Sequence, residues 1–376
     1  KVFFRDSIAL SESYEKFYEY LESINSKIEY FLIESATPSW EHDYKLIKNV
    51  KNKYPNLKII VAGPISTSDE KWDSDIVYAV LKGEYEKNIM KVLEGKNGVL
   101  NHDLLTKDEM NSAPFPYYDK NIFDKYFDGN PIPMNILYPQ AHIWSSRGCP
   151  FKCIFCVWPA AMTGNDPHGD GKRSVRQYTP DYIESFIKEL TGKYKFKAIY
   201  FDDDTFNIGN RHTEKMSDVM SKFDIPWFAM CRADTSKKET WKKMADSGCK
   251  GVKIGVESGS QVVVDKIVNK HLDLKYVQEI VSHIRSLNMS VHGTFTYGLP
   301  GETKEDMIRT KKFIQETEFS TVQESGTAEI EGTPLHALIN EEKLMTYPGA
   351  IADENYDRQK DGGKKWQSLV KELQNN

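Results

Sequence analysis

Three cysteines in one short stretch constrain this chain more than any other feature of its sequence. Cys149, Cys153 and Cys156 have a C-x3-C-x2-C spacing, so their thiolates can reach one metal centre without distant parts of the chain. A structural zinc ion takes four protein ligands, and the other two cysteines, Cys231 and Cys249, do not form a paired knuckle. A [4Fe–4S] cluster is ordinarily held by four thiolates, so three would leave one iron open to a small molecule. On spacing alone, zinc or scattered buried thiols remain alternatives.

The composition indicates a globular chain without a nucleic-acid or membrane signature. Its 376 residues suggest two or three domains, and 39% apolar with 28% charged residues is typical of soluble proteins. A net charge of −5 gives no basic footprint for nucleic acid, and no apolar run approaches the ~20 residues that span a bilayer. The odd cysteine count and the lack of a secretory signal favour a reducing cytoplasm. Lys1 stands almost inside an apolar segment, so we expect native sequence before it.

Residues 1–95 alternate predicted strands with predicted helices, which indicates a Rossmann-like, parallel, doubly wound sheet. The predicted strands are Lys27–Ile33, Lys58–Ala62 and Asp75–Leu81. Ligands of such sheets bind outside the carboxyl ends of the strands. Those ends carry polar or glycine-containing loops at Ser35–Ser39, Gly63-Pro64 and Gly83–Tyr85.

The remaining chain divides into three further regions. Residues 96–140 are rich in proline and aromatic residues, so we interpret them as an ordered linker. Residues 141–335 alternate six predicted parallel strands with helices, which predicts a partial (β/α)6 barrel rather than the eight strands of a TIM barrel. These strands are His142–Ser146, Phe196–Phe201, Pro226–Met230, Gly251–Val256, Met289–Thr296 and Thr321–Ile330. Residues 336–376 form a polar C-terminal extension with a predicted helix at Lys364–Gln374.

Several residues at the strand ends have a functional and an ordinary structural explanation. One aspartate at such a position is commonly a helix N-cap, but the run Asp202-Asp203-Asp204 favours a site. We interpret Cys231 and Cys249 as core thiols, and His292 as a core histidine. Tyr297 is a minor candidate for a contact with a cavity.

With Phe155 before its last cysteine, the C-x3-C-x2-C motif resembles the signature of the radical S-adenosylmethionine (radical SAM) superfamily. The resemblance implies that the three cysteines hold a [4Fe–4S] cluster whose open iron chelates the amino and carboxylate groups of SAM. Reduction then cleaves SAM to a 5′-deoxyadenosyl radical. A guanidinium such as that of Arg232 would suit the SAM carboxylate. The SAM contacts that the resemblance implies are Phe155, Asp202, Asp203, Arg232 and Glu257.

Residues 1–95 resemble the cobalamin-binding domain found upstream of many radical SAM domains. The matching pieces are a T-P-S loop, a strand followed by Gly-Pro, and a strand followed by G-E-x-E. The D-x-H-x-x-G motif, whose histidine ligates cobalt in other cobalamin proteins, is not present. A purely structural Rossmann-like domain is the alternative. The implied cobalamin contacts are Ala36, Thr37, Pro38, Ser39, Gly63, Pro64, Gly83, Glu84, Tyr85 and Trp158.

The resemblance predicts a cobalamin-dependent radical SAM enzyme that transfers a methyl group to an unactivated carbon or phosphorus centre. A cobalamin-linked cyclase or rearranging enzyme is one alternative, and a non-catalytic, metal-stabilised binding protein is another. Methylthiolation is less favoured, because those enzymes use three upstream cysteines and none precedes Cys149. The expected partners are a small-molecule or peptide substrate and an external electron donor of the flavodoxin or ferredoxin type. No catalytic acid or base is nominated.

Overall fold

The computed structural model describes residues 1–37, 39–68, 72–125, 138–158, 163–164 and 173–340. The helices are α1 (Tyr14–Ile24), α2 (Trp40–Lys53), α3 (Glu86–Leu93), α4 (Lys107–Ser112), α5 (Pro180–Gly192), α6 (Asn210–Met220), α7 (Lys238–Asp246), α8 (Leu274–Ser286), α9 (Lys304–Glu316) and α10 (Pro334–Asn340). The strands are β1 (Tyr30–Glu34), β2 (Lys58–Ala62), β3 (Val77–Leu81), β4 (Gly98–Leu100), β5 (Gln140–Ile143), β6 (Ser146–Arg147), β7 (Arg176–Gln177), β8 (Ala198–Phe201), β9 (Trp227–Cys231), β10 (Cys249–Glu257), β11 (Ser290–Tyr297) and β12 (Thr321–Gly326).

Ten of these strands form two parallel sheets. The first sheet has the order β1-β2-β3-β4, and the second has the order β12-β11-β10-β9-β8-β5. Strands β6 and β7 form a separate antiparallel pair. The predicted fold class, a Rossmann-like sheet followed by six parallel strands that do not close into a full barrel, is confirmed.

Helices cover both faces of the first sheet. Ile59 and Val61 of β2 belong to an apolar cluster with α1 and α2, whereas Ile60 and Ala62 belong to another cluster with α3. Side chains alternate between the two faces of a strand, so a continuous apolar run such as β2 requires cover on both sides. The sequence KIIVA therefore specifies a central strand of a doubly covered sheet.

Two details of the first sheet differ from the predictions. Strand β1 begins three residues later than Lys27, because Asn25–Lys27 continues α1 as a 3-10 turn. Strand β4 was not predicted at all. It has three residues, it starts at Gly98 with φ +77°, and only Leu100 is buried, so it carries no period-two pattern.

In the second sheet the strand order follows the chain, and helices pack against one face. The large side chains of Trp227 and Trp241 are fully buried there. The predicted strand His142–Ser146 is in fact two elements. Strand β5 ends at Ile143, and β6 then pairs with β7 beside the cysteines. The last strand also ends earlier than predicted, at Gly326.

The described part of the linker packs against the second sheet's helices. The ring of Phe115 stacks on Phe186 of α5, with centroids 5.0 Å apart. The short helix α4 begins with Thr106 and Glu109 in a reciprocal capping box. The predicted helix Lys364–Gln374 lies outside the described residues. No helix in the described ranges is both long and apolar enough to cross a bilayer.

Buried ion pairs join the two sheets at their carboxyl edges. Glu84, directly after β3, is 2% exposed and accepts hydrogen bonds from both terminal nitrogens of Arg176. Arg147 Nη1 lies 3.3 Å from Glu84 Oε2, and the Leu105 amide donates to the same oxygen. Because Arg147 and Arg176 belong to β6 and β7, the carboxyl edge of the first sheet faces the cysteines of the second.

Candidate functional site

The cysteine loop (residues 148–156) is fixed by hydrogen bonds from several parts of the second sheet. Gly148 has φ +94°, and a Cβ there would collide with the Ser174 carbonyl oxygen, so glycine is required. The Gly148 amide donates to Asp204 Oδ2 (2.9 Å), and the Ile154 amide donates to the Val268 carbonyl (3.1 Å). The path of the loop is therefore determined by the protein itself.

The thiols of Cys149, Cys153 and Cys156 lie in one locality. Burial, followed by the charge of Cys153, raises the pKa of Cys156 to about 12, and burial also raises the pKa of Cys149. Soft thiolates are the ligands of iron–sulfur clusters and of zinc. Each thiolate of a [4Fe–4S] cluster binds a different iron, and three cysteines within eight residues can supply three of those thiolates. The donor set therefore fits a cluster.

The apolar side of the cysteine loop is formed by Phe155. Its ring and Cys153 pack against a buried cluster that includes Val268 and Leu299. Leu299 belongs to the Gly298–Thr303 turn, in which Thr303 caps α9 by a capping box with Asp306. The turn therefore starts a helix and also supports the cysteine loop.

The three consecutive aspartates after β8 have different surroundings. Asp202 lines a cavity, with Oδ2 3.6 Å from His142 Nδ1. Asp203 is 1% exposed and accepts hydrogen bonds from the Ser145 amide (3.0 Å), the Ser145 hydroxyl (2.8 Å) and the Ser146 hydroxyl (2.5 Å). Burial raises the pKa of Asp203 to about 6. Both carboxylate oxygens of Asp203 therefore hold the chain before the cysteine loop, and its predicted contact with SAM stays a prediction.

Arg232 also has partners other than a substrate. Its guanidinium is buried and donates to Asp234 Oδ1 (2.5 Å), Asp234 Oδ2 (3.0 Å) and the Lys270 carbonyl (2.5 Å). It also stacks on the ring of Phe151 in the cysteine loop, 3.7 Å from the centroid. Arg232 therefore supports the cysteine loop through Phe151. Its predicted pairing with the SAM carboxylate stays a prediction.

Glu257 ends β10 in an unusual backbone conformation, with φ +75°. Its carboxylate accepts hydrogen bonds from Lys270 Nζ (2.8 Å) and Thr296 Oγ1 (3.2 Å). Burial lowers the pKa of Lys270, but the charges of Glu257 and Cys153 outweigh burial and leave the pKa raised. A Cβ at Gly255 would come within 2.5 Å of Glu257 Oε1, so glycine leaves room for this pair.

The inner cavity is a space of about 490 Å³ on the face of the second sheet opposite the main apolar cluster. Every strand of the sheet contributes a side chain to it. The contributors, in chain order from β5 to β12, are His142, Tyr200, Met230, Lys253, Thr294 and Gln323. Asp202 and Glu257 line it at the carboxyl ends of β8 and β10. The cavity is therefore polar and carries groups of both charges.

Four other predictions concern residues on strands of the second sheet. Tyr297 is 1% exposed and donates to Glu324 Oε2 (2.7 Å), and it does not line the cavity, so that prediction is wrong. Cys231 and Cys249 are buried in the main apolar cluster, which confirms them as core thiols. His292 is 2% exposed and hydrogen-bonded to Thr321, which confirms it as a core histidine.

The carboxyl edge of the first sheet carries most of the predicted cobalamin contacts. Ala36, Thr37, Ser39, Gly63, Pro64, Gly83 and Tyr85 lie just after the first three strands, and Pro38 lies outside the described residues. The carboxylate of Glu84 contacts Arg176, Arg147 and the Leu105 amide, and its predicted contact with cobalamin stays a prediction. Trp158 is 47% exposed after the cysteine loop.

This edge also contains a polar group that the sequence did not reveal. The Ser66 hydroxyl is fully buried and has no hydrogen-bond partner in the part of the chain that the structure describes. Gly63 has φ +87°, and a Cβ there would lie 2.6 Å from the Ser35 carbonyl oxygen, so the turn before Ser66 requires glycine. An orphaned hydroxyl behind an edge of small residues fits a ligand that docks on this edge.

Sequence reasoning missed several residues that the structure brings to the site. Lys270 lies in an irregular segment and has no motif of its own, so its pairing with Glu257 was not foreseeable. His142 and Lys253 lie inside strands that look apolar, and only the sheet register aligns them with the cavity. Asp204 was visible in the aspartate run, but its bond to Gly148 depends on the fold.

Comparison with known proteins matches this region to a family. Residues 145–314 match the radical SAM superfamily, a range that includes the cysteine loop and strands β8–β11. An uncharacterised methyltransferase of Pyrococcus horikoshii is 27% identical over 339 residues, which cover 81% of this chain and 69% of that protein. The cytidylyl-2-hydroxyethylphosphonate methyltransferase of Streptomyces wedmorensis is 26% identical over 240 residues, which cover 60% of this chain and 43% of that protein.

The fold also resembles a solved structure, the radical SAM methyltransferase TsrM from Kitasatospora setae. TsrM with a tryptophan substrate and a SAM analogue aligns with a TM-score of 0.72 at 15% identity, over 96% of this chain and 80% of TsrM. A TsrM structure with cobalamin and a [4Fe–4S] cluster aligns with a TM-score of 0.69 at 12% identity, over 89% of this chain and 69% of TsrM. At such identities the likeness establishes a shared fold.

Proposed function

Because the chain belongs to the radical SAM superfamily, we propose that it is a cobalamin-dependent radical SAM methyltransferase. One observation carries the proposal. The carboxyl edges of two parallel sheets face each other, joined by Glu84 and its arginines, and the cysteine loop lies beside that junction. Residues 1–95 would form the cobalamin domain, 96–140 the linker, 141–335 the radical SAM domain and 336–376 an extension.

In this proposal Cys149, Cys153 and Cys156 hold a [4Fe–4S] cluster. When bound, the cluster and SAM would supply the 5′-deoxyadenosyl radical, and cobalamin would supply the methyl group. The chain's own contribution is to orient these groups and to exclude water. Asp204 and Arg232 contribute to the orientation by holding the cysteine loop at its first residue, Gly148, and at Phe151 within it.

We assign SAM contacts to Phe155, Asp202 and Glu257. Phe155 packs beside Cys153, and the two carboxylates line the inner cavity at strand ends. Asp202 is the aspartate of the run that faces the cavity, so it suits the SAM amino group better than Asp203. Glu257 is held by Lys270 in a buried pair, which fixes its carboxylate for hydrogen bonding to a ligand hydroxyl.

We assign cobalamin to the carboxyl edge of the first sheet. The loops after β1, β2 and β3 present small residues there, and Ser66 would gain a partner on binding or on closure around the ligand. Trp158, half exposed after the cysteine loop, is the proposed contact from the other side.

The inner cavity is the proposed substrate site. Its volume of about 490 Å³ suits a small molecule or one peptide side chain, and Lys253, Thr294 and Gln323 would recognise polar groups of the substrate. The methyl acceptor would be an unactivated carbon or a phosphorus centre, and one relative is named as a methyltransferase of a phosphonate, cytidylyl-2-hydroxyethylphosphonate. A flavodoxin- or ferredoxin-like protein would deliver the electron that SAM cleavage consumes.

Anaerobic incubation with SAM, a reductant and cobalamin tests the proposal. We expect both 5′-deoxyadenosine and S-adenosylhomocysteine from the reconstituted protein with its substrate. Deoxyadenosine without S-adenosylhomocysteine would favour a cyclase or rearranging enzyme instead. Zinc as the only bound metal, with neither iron nor acid-labile sulfide after reconstitution, would contradict both and leave the metal a structural role.

A further inference from the structure

The basic pocket is a second cavity, of about 440 Å³, outside the second sheet's inner face. It lies where α5 and α6 begin, and α4 closes its third side. It shares no lining residue with the inner cavity. Its basic lining residues are Lys107, Arg211, His212 and Lys215, and Tyr178 is the other titratable residue that lines it.

All the charged side chains that line the basic pocket are positive. Lys107, Arg211 and Lys215 are all exposed, and none has an ion-pair partner among the described residues. No carboxylate lines the pocket, although the chain as a whole has a net charge of −5. By contrast, Lys87 and Lys91 on neighbouring α3 are both paired with acidic side chains. The starts of α5 and α6 add the positive ends of two helix dipoles.

The floor of the basic pocket is connected to the cysteine loop. His212 is 8% exposed, and its Nε2 lies 3.0 Å from the Ser145 hydroxyl. Ser145 in turn donates to Asp203 (2.8 Å), and two residues later Thr205 Oγ1 lies 3.5 Å from Cys149 Sγ. A continuous path of bonded and hydrogen-bonded atoms therefore runs from the pocket floor to a cluster cysteine.

The positive charges at the rim of the basic pocket also act on His212 at its floor. Burial, followed by the charges of Lys107 and Lys215, lowers the pKa of His212 to about 4. The imidazole is therefore neutral at neutral pH, and the net positive charge of the pocket comes from its rim. Asp108, Asp181 and Glu214 are the acidic residues next in sequence to lining residues, and none of them lines the pocket. Glu214 instead accepts a hydrogen bond from the Thr240 hydroxyl (2.9 Å).

We propose that the basic pocket is the docking surface of an acidic one-electron donor protein of the flavodoxin or ferredoxin class. This inference rests on the proposed function, which consumes an external electron. The inner cavity and the facing edge of the first sheet are assigned to substrate, SAM and cobalamin, so the donor must approach from another side. The step itself is simple: the donor loses one electron, the cluster gains it, and no bond forms or breaks. An acidic surface on the donor complements the unpaired cations and steers the encounter.

The test compares a protein donor with a chemical one. The triple variant Lys107→Glu, Arg211→Glu and Lys215→Glu is assayed anaerobically for 5′-deoxyadenosine, once with reduced flavodoxin and once with dithionite. We expect the flavodoxin-driven rate to fall by about tenfold or more at low salt, because the three glutamates repel the acidic donor instead of attracting it. The dithionite-driven rate should stay within about twofold of the wild-type rate. Added salt should slow the wild type and narrow the difference.

A matched control variant reverses the charge at three other lysines by Lys195→Glu, Lys197→Glu and Lys250→Glu. These lysines are exposed near the amino ends of β8 and β10. This control should keep both rates. Equal losses with both donors, or no loss with flavodoxin, would overturn the docking assignment. Saturable binding of inorganic phosphate that the triple variant loses, with an unchanged flavodoxin-driven rate, would make the pocket a small-anion site and also overturn it. If dithionite yields no deoxyadenosine from the wild type, the proposed function fails instead.

Discussion

The two facing sheet edges differ in the size, charge and burial of their side chains. At the first edge, apart from Glu84 and Tyr85, the side chains are small and mostly hydrogen-bonded within their own loops. Ser35 and Ser39 both donate to Asp43, and Gly63 makes the turn after β2. At the second edge the side chains are charged and buried. Asp203, Arg232 and the Glu257–Lys270 pair are all less than a tenth exposed, and each is held by named partners.

The difference separates recognition by shape from recognition by charge. Small residues and backbone groups can follow the outline of a large ligand at low desolvation cost. Buried charges are costly unless paired, and they are kept where a fixed electrostatic environment is useful. We therefore expect substitutions at the second edge to abolish chemistry, and substitutions at the first edge to weaken docking while leaving the cysteine loop intact.

The largest expected effect is at the cysteine loop. Cys153→Ala removes one of three thiolates, so the cluster should not assemble and deoxyadenosine formation should fall to background. Iron and sulfide analysis together with product assay checks this. The control, Cys249→Ala, removes a core thiol outside the loop and should keep a full complement of iron. A cluster-loaded, active Cys153→Ala protein would contradict the ligand assignment.

The next largest effect is expected at the Glu257–Lys270 pair. Lys270→Met leaves the Glu257 carboxylate buried without its cation, which should cost about 3–5 kcal/mol of unfolding free energy. Adding Glu257→Gln removes the unpaired charge and should restore much of that stability. SAM cleavage should stay low in the double variant, because the carboxylate is gone. Recovery of both stability and cleavage would show that the pair has only a structural role.

Breaking the junction between the edges should have a smaller effect. Glu84→Gln removes the charge that pairs with Arg176 and Arg147, and these arginines are partly exposed, so we expect a loss of about 2 kcal/mol. Denaturant unfolding measures the loss, and absorbance titration with cobalamin measures docking. Cobalamin affinity should fall while the iron content stays constant. A fall in iron content would mean that the two edges are not separable.

The cysteine loop at the second edge could be predicted from the sequence more directly than any feature of the first edge. The cysteine spacing is local, so Cys149, Cys153 and Cys156 could be recognised without knowing the fold. Alternation of apolar strands and helices also predicted both sheets, since periodicity depends on neighbours in sequence. The short strand β4 was not predicted, because three residues are too few to show a periodic pattern.

The roles of individual charges could not be read from the sequence. Asp202 and Asp203 are adjacent and chemically identical, and only the strand geometry sends one to the cavity and the other to Ser145. Glu84 matched a motif at the first edge, but its arginines lie far away in the chain. Long-range pairing of this kind depends on how the two sheets meet, which no local pattern encodes.

The smallest expected effect concerns Glu302, the second-edge carboxylate that has no cation. Burial raises the pKa of Glu302 to about 8, and the charge of Asp306 adds to this. Its Oε2 accepts from the Gly298 amide (2.7 Å) and the Leu299 amide (3.2 Å), and Oε1 has no partner among the described residues. At neutral pH the group is therefore protonated, so the second edge contains a neutral acid among its charges.

The sign of the resulting pH dependence follows from proton counting. Below about pH 4.5 Glu302 is protonated in the folded and the unfolded chain alike, and its full contribution is present. Between there and about pH 8 the unfolded chain releases the proton while the folded chain keeps it, so stability falls as pH rises. The loss is about 1 kcal/mol per pH unit within that window. Glu302→Gln cannot ionise, so its stability relative to wild type should rise between pH 5 and about 7.5, as measured by denaturant unfolding. Glu305→Gln, at an exposed position of α9, controls for the substitution itself. A difference between Glu302→Gln and wild type that does not change with pH would mean that Glu302 is ionised in the folded protein, and the second edge would then be charged throughout.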